Sequence, residues 1–195
     1  MLPTVDPSVP PAPTVPSPSA ASPGDSWALW FVPALVVTLM LDQATKWWLQ
    51  SQVGVDGRLP ADWPRWLAWH YNPGVAWSLF ADWPQAVLWL TLVLVPALVW
   101  AWWRHFRPLG WAENLGFGLV LGGAVGNLVD RTLAGFGQLG GVRDFIHVDL
   151  GFWPLDPWPT FNIADSGICI GFAIIIARSV LVTAPSAATQ APQGS

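Results

Sequence analysis

The sequence predicts an all-α membrane protein: a four-transmembrane-helix bundle with a small sheet above the membrane. Three observations carry this. Only 10% of the 195 residues are charged and 53% are hydrophobic, where a soluble domain has roughly 25% charged residues. Sixteen tryptophans suit a chain with many positions at membrane–water interfaces, where Trp collects. Four apolar stretches approach the ~20 residues that cross a bilayer.

Residues 1–25 are rich in Pro, Ala, Ser and Thr and contain no Lys or Arg. Such a tail cannot bury a core, and it lacks the basic start of a secretory signal peptide. The first span runs from about Trp27 to Leu49 and carries Asp42 and Lys46 near its end. Residues four apart share a helix face, so an internal ion pair is expected there. The loop 50–83 reads in two ways. Trp63, Trp66, Leu67 and His70 form a helical stripe, whereas Leu67, Trp69 and Tyr71 alternate like a strand entering the turn at Asn72-Pro73-Gly74.

The second span, about Pro84 to Trp103, follows a start signal at Asp82-Trp83-Pro84. A short loop, 104–110, carries Arg104, His105 and Arg107, and the first long loop carries Arg58 and Arg65. The positive-inside rule leans towards a cytoplasmic short loop. The third span, about Trp111 to Leu133, contains Gly122 and Gly126 in a small-xxx-small pattern that lets another helix approach. Gly123, Asn127 and Arg131 fall on a neighbouring face, and Asp130 reads as polar glue between helices.

In the loop 134–160, Val142, Asp144, Ile146 and Val148 alternate, which pairs naturally with a strand at 67–71. The fourth span, about Phe161 to Val182, places Asn162, Asp165 and Cys169 on one face. Asp165 lies in the first turn, where a carboxylate gains from the helix N-terminus. The lone Cys169 is expected to be a buried small hydrophobe. The domain extends over 26–183, and 184–195 is a second low-complexity tail.

Ionisable groups in hydrocarbon cost several kcal/mol and mark function. Two aspartates from flanking elements, Asp144 and Asp165, can meet at one membrane face. Two close carboxylates do not readily ionise together, so one keeps its proton while the other acts as a base, which suits peptide hydrolysis by water. A proton-linked transporter or membrane scaffold using Asp42, Asp130 and Asp165 is the competing reading. Asp144 discriminates, because it lies outside the spans, where a relay has little use for it. A Ser–Lys pairing of Ser78 or Ser166 with Lys46 is a third chemistry, although both serines have good packing or turn roles. There is no His-Glu-x-x-His motif and no Gly-rich phosphate loop after a strand, so no metal and no cofactor is expected. A net charge of −4 gives no footprint for nucleic acid.

Five blocks taken in order resemble the lipoprotein signal peptidase family, bacterial signal peptidase II, over about residues 27–180. The family's Asp-x-x-x-Lys matches Asp42 and Lys46, and its Asn-x-Gly-x-Ala-aromatic-Ser matches Asn72, Gly74, Ala76, Trp77 and Ser78. Its Gly-Gly-Ala-x-Gly-Asn-x-x-Asp-Arg matches Gly122 to Arg131, and the last two blocks match Val142 to Phe145 and Phe161 to Asp165. Val75 stands where the family often has Ala, and Trp77 where Phe is commoner. The resemblance implies an intramembrane aspartyl endopeptidase with Asp144 and Asp165 as its dyad. Asn72, Gly74, Gly123, Asn127, Arg131 and Asn162 would line or support the site, as would Asp42 and Lys46. It implies a small extracytoplasmic β-cradle, membrane lipids as surroundings and a prolipoprotein with a diacylglyceryl cysteine as substrate, cut just before that cysteine. The expected location is the bacterial cytoplasmic (inner) membrane, with both termini cytoplasmic and a monomeric state. The second and third spans, with Gly116, Gly118 and Gly122 leaving room, are the expected walls for the acyl chains.

Overall fold

The computed structural model describes residues 27–75, 78–151 and 158–183. Both tails, together with Ala76 and Trp77 of the Asn72–Ser78 block, lie outside the described residues. In chain order the elements are α1 (Trp27–Gln50), β1 (Leu67–Asn72), α2 (Pro84–Ala101), a π-helical segment (Trp102–Phe106), α3 (Trp111–Gly135), β2 (Val142–Ile146) and α4 (Ile163–Thr183). All four long helices, α2 taken with its π-helical segment, are long and apolar enough to cross a membrane. The 24 residues of α1 rise roughly 36 Å at 1.5 Å per residue, more than the ~30 Å hydrocarbon core. Pro84 occupies the first turn of α2, where its missing N–H costs nothing. Trp83, not Asp82, is the N-cap, and it makes no side-chain capping bond.

Helix α3 is central. Most of it is buried inside the protein, whereas the other three helices are exposed over most of their surfaces. It packs against α1 and α4 along their lengths and, less extensively, against α2. Glycines set these approaches. A Cβ on Gly118 would lie 2.5 Å from the Phe31 carbonyl oxygen, and one on Gly122 would lie 2.6 Å from that of Leu35. Gly116 faces the Gly171 backbone of α4, and Gly123 faces the Ala164 carbonyl. The room expected for acyl chains at Gly116, Gly118 and Gly122 is therefore filled by neighbouring backbones. Cys169 is likewise exposed on the outside of α4 rather than buried, because α4 turns its small residues, Ala164, Gly167 and Gly171, inward.

The bundle is closed at one end by aromatics. Phe31 stacks on Trp102 at 3.8 Å, and the Arg107 guanidinium lies over Trp27 and Trp103 at 4.7 and 4.1 Å. At the other end β1 and β2 form a two-stranded antiparallel sheet, with His70 opposite Asp144 and Asn72 opposite Val142. Of the two readings of the first long loop, the strand is the observed one; Trp63 and Trp66 fall in the turns before it. The register is irregular between Leu67 and His70. Phe161 adds a single bridge to Ile146, which ties the start of α4 to the sheet.

Candidate active site

The polar residues expected from the sequence converge at the sheet end of the bundle. Asp144 sits in β2, between Arg143 and Phe145, whose side chains turn to the opposite face of the strand. The Phe161 carbonyl accepts from the Phe145 and Ile146 N–H groups and its N–H donates to the Ile146 carbonyl, so the chain enters α4 beside Asp144. Asn162 then caps α4. Its Oδ1 accepts from the Asp165 N–H at 2.9 Å, and its own N–H donates to Asp165 Oδ2 at 3.2 Å. This is a reciprocal capping box with an Asn–Asp pair. Asp165 is therefore a first-turn cap, and it also faces the site.

Asn162 joins the two carboxylates. Its Nδ2 donates to Asp144 Oδ1 at 2.7 Å while its backbone N–H holds Asp165. From β1, Asn72 Nδ2 donates to Asp144 Oδ2 at 3.2 Å, and Asn72 Oδ1 accepts from the Gly74 N–H at 3.0 Å. From α3, Asn127 Nδ2 donates to Asp165 Oδ1 at 2.8 Å. Burial pushes the Asp144 carboxyl up from 3.8 to about 7, and the nearby charge of Asp165 adds to the rise; the bonds from Asn72 and Asn162 and the charge of Lys46 oppose it.

Arg131 reaches from α3 to the loop after β1, donating from Nη2 to the Gly74 carbonyl at 3.0 Å. Its Nε is buried and has no hydrogen-bond partner among the described residues. Gly74 has no space for a side chain, since a Cβ would strike the Leu79 carbonyl across the turn. Gly123 supports the site from behind by letting α3 lie against Ala164, one residue before Asp165.

Below the carboxylates lies a fully buried, charge-balanced quartet. Lys46 Nζ is 2.8 Å from Asp42 Oδ2 and 3.3 Å from Asp130 Oδ2, and Arg143 Nη2 is 2.6 Å from Asp130 Oδ1. The expected Asp42–Lys46 pair is present, and Asp42 Oδ1 also accepts the Ala164 N–H at 2.9 Å. Asp130 points away from Arg131, towards Arg143 and Lys46.

Arg143 is the residue whose role the sequence reading missed. Besides Asp130, it donates to Gln50 Oε1 at 2.9 Å and Gln43 Oε1 at 3.1 Å, and it stacks over Trp47 at 4.3 Å. The signal was one of charge balance: Asp42 and Asp130 are two buried carboxylates, and Lys46 can neutralise only one.

A groove of about 540 Å³, lined by Trp48, Trp63, Trp66, Phe145 and Ile163 among others, contains neither carboxylate. It lies on the Phe145 side of β2. The Ser–Lys chemistry finds no support, since Lys46 is bonded to Asp42, Asp130 and Asn127, and Ser166 Oγ donates to the Asn162 carbonyl.

The family model for signal peptidase (SPase) II matches residues 34–181. The lipoprotein signal peptidase of Blochmanniella pennsylvanica is 34% identical over 149 residues, covering 73% of this chain and 84% of that one. That of Methylobacterium sp. (strain 4-46) is 36% identical over 162 residues, covering 80% and 92%. A solved structure described as a bacterial membrane enzyme superposes with a TM-score of 0.64 at 26% identity, covering 83% of this chain and 93% of that one.

Proposed function

The chain belongs to the signal peptidase II family, and we propose that it is an aspartyl endopeptidase that removes the signal peptide from prolipoproteins bearing a diacylglyceryl cysteine. Cleavage falls just before that cysteine. The observation that carries the reading is Asn162, which holds Asp144 and Asp165 together at the junction of sheet and helix.

Asp144 is the acid. Its burial and the charge of Asp165 raise its carboxyl to about 7, so it still carries a proton in a large share of molecules near neutral pH. Asp165 is the base; both of its oxygens accept N–H donors, from Asn127 and from the Asn162 backbone, which fix its orientation. Asp165 takes a proton from water, and the hydroxide attacks the scissile carbonyl carbon. Asp144 gives its proton to the carbonyl oxygen, forming a neutral tetrahedral diol. Asp165 then passes its proton to the amide nitrogen, the C–N bond breaks, and Asp144 recovers a proton from the collapsing diol. One group stands ready to hold the peptide, the Nε of Arg131, which has no partner among the described residues; the Asn72 amide is already spent on Asp144, Val75 and Gly74.

The transporter reading has less support. Asp42 and Asp130 are fixed on Lys46 and Arg143, which leaves them poor carriers of a mobile proton. In the proposed orientation the sheet end faces outward from the cytoplasmic membrane, and both termini and the Arg104–Arg107 loop face the cytoplasm. A topology reporter fused within 134–160 and found in the cytoplasm would reverse it.

The test is cleavage of a purified diacylglyceryl prolipoprotein by the purified full chain. Asp144→Asn and Asp165→Asn should each lower turnover by at least about 100-fold while the protein still inserts. Mass spectrometry of the product should find the lipidated cysteine as the new N-terminus. Near-normal turnover in either variant would sink the dyad.

A further inference from the structure

We propose that Lys46 is a positioning residue for the dyad: it fixes the Asn127 side-chain amide in the one orientation that points a donor at Asp165. The inference rests on reading Asp144 and Asp165 as the dyad, and it adds a role for a residue in α1 that touches neither carboxylate.

An asparagine amide is nearly symmetric in shape, and only its partners decide which end is oxygen. Lys46 is a donor with no acceptor capacity. Its three donors are all committed, to Asp42 Oδ2 at 2.8 Å, Asp130 Oδ2 at 3.3 Å and Asn127 Oδ1 at 3.0 Å. The Asn127 oxygen must therefore face α1, and Nδ2 then faces α4 and donates to Asp165 at 2.8 Å. A flipped amide would set an acceptor against Asp165 and a donor against the ammonium, which loses both bonds.

One other group agrees. The Asn162 amide is oriented by the Asp165 backbone N–H, so its Nδ2 also points at Asn127 Oδ1, at 3.2 Å. That bond is neutral and longer; the Lys46 bond is charge-assisted, a class roughly twice as strong. Lys46 in turn cannot drift. Asp42 is held by the Ala164 N–H, and Asp130 is clamped by the Arg143 guanidinium and backbone N–H. The quartet thus connects α1, α3 and β2 to a single amide on the base. The remaining charges near Asp165 are Arg131 and Asp144, and neither touches Asn127.

The experiment is a double-mutant cycle on kcat and KM with a diacylglyceryl prolipoprotein and the full chain in detergent. Lys46→Met is made together with Asp42→Asn, so that the buried charges still balance, and Asp42→Asn alone is the reference. Removing the lysine should lower kcat by about 10- to 100-fold, as loss of a partner that orients a reacting group does. KM should stay within about 2-fold, because Asn127 faces the carboxylates rather than the peptide. In an Asn127→Ala background the same substitution should cost no more than about 2-fold, since the pathway is already cut. Losses that multiply in that background would show that Lys46 acts by another route.

Asn127→Asp serves as a second arm should the double variant not fold. It keeps an acceptor for Lys46 and has no donor for Asp165, so kcat should fall at least as far as in Asn127→Ala. Wild-type kcat in Asn127→Asp would overturn the inference. An active Asp144→Asn or Asp165→Asn enzyme would instead overturn the dyad itself, so the two failures are distinguishable.

Discussion

Asp144 is 2% exposed, and its buried carboxyl links the stability of the fold to pH. Its carboxyl rises from 3.8 in the unfolded chain to about 7 in the fold. The folded state therefore holds a proton that the unfolded state releases between those values. Its contribution to stability is fully present below about pH 4, declines as pH rises, and is gone once pH passes the folded value. Asp144→Asn cannot titrate, so the variant should gain on the wild type in thermal midpoint as pH climbs from 4 to 8. A constant difference across that range would mean that Asp144 is not buried as a neutral acid. On the proposed mechanism activity should fall on the same side, because the proposed dyad loses its acid above about pH 7; a rate that keeps rising to pH 9 would contradict the assignment. This pair is legible in the sequence only jointly. Asp165 alone reads as a helix cap, which it also is, and Asp144 alone reads as a loop carboxylate. Phe161, pinned to Ile146 by a bridge, brings them together, and no periodicity in the chain announces that contact.

At the scale of elements, the spans were the legible part. Hydropathy and length locate four helices to within a few residues, because hydrocarbon admits few alternatives for an apolar run of that length. The glycines were half legible. Gly122 and Gly126 signal a close helix approach, but spacing does not say which helix comes. α1 meets Gly118, Gly122 and Gly126, and α4 meets Gly116 and Gly123, so one helix carries two small-residue faces. A methyl on Gly122 would sit 2.6 Å from a backbone oxygen of α1, which side-chain motion cannot relieve. Gly122→Ala should therefore destabilise by about 1–3 kcal/mol, the usual cost of overpacking. Gly135→Ala meets only the flexible end of Leu88, at 3.0 Å, and should cost less. Thermal unfolding of both variants in one detergent checks the order; equal midpoints would mean that the α1–α3 contact gives way easily. The sheet register was less legible, because the irregularity between Leu67 and His70 shifts the alternation read from the sequence.

At the scale of the whole molecule, the carboxylates sit where the helices meet the sheet, so on the proposed mechanism a peptide bond must be brought to that depth and held. The protein supplies an apolar exterior and a polar site at one end of it; the lipid on the substrate can supply the depth. Two acyl chains anchor stably at about 0.8 kcal/mol per buried CH₂, whereas one chain binds only marginally. With Gly116, Gly118 and Gly122 closed by packing, the acyl chains of the proposed substrate would lie elsewhere. The exposed faces of α2, with Leu90, Val93 and Leu94 turned outward, remain open to them. Holding the bond at the dyad converts an encounter into a positioned reaction, a gain worth several kcal/mol of barrier in well-oriented systems. Cleavage of a prolipoprotein carrying its diacylglyceryl group should therefore exceed that of the same protein without it by at least about 100-fold in kcat/KM, a difference of roughly 2.7 kcal/mol. The comparison is made in one detergent, at one enzyme concentration. Equal rates would make the protein a general membrane peptidase, with the dyad intact and the substrate reading wrong.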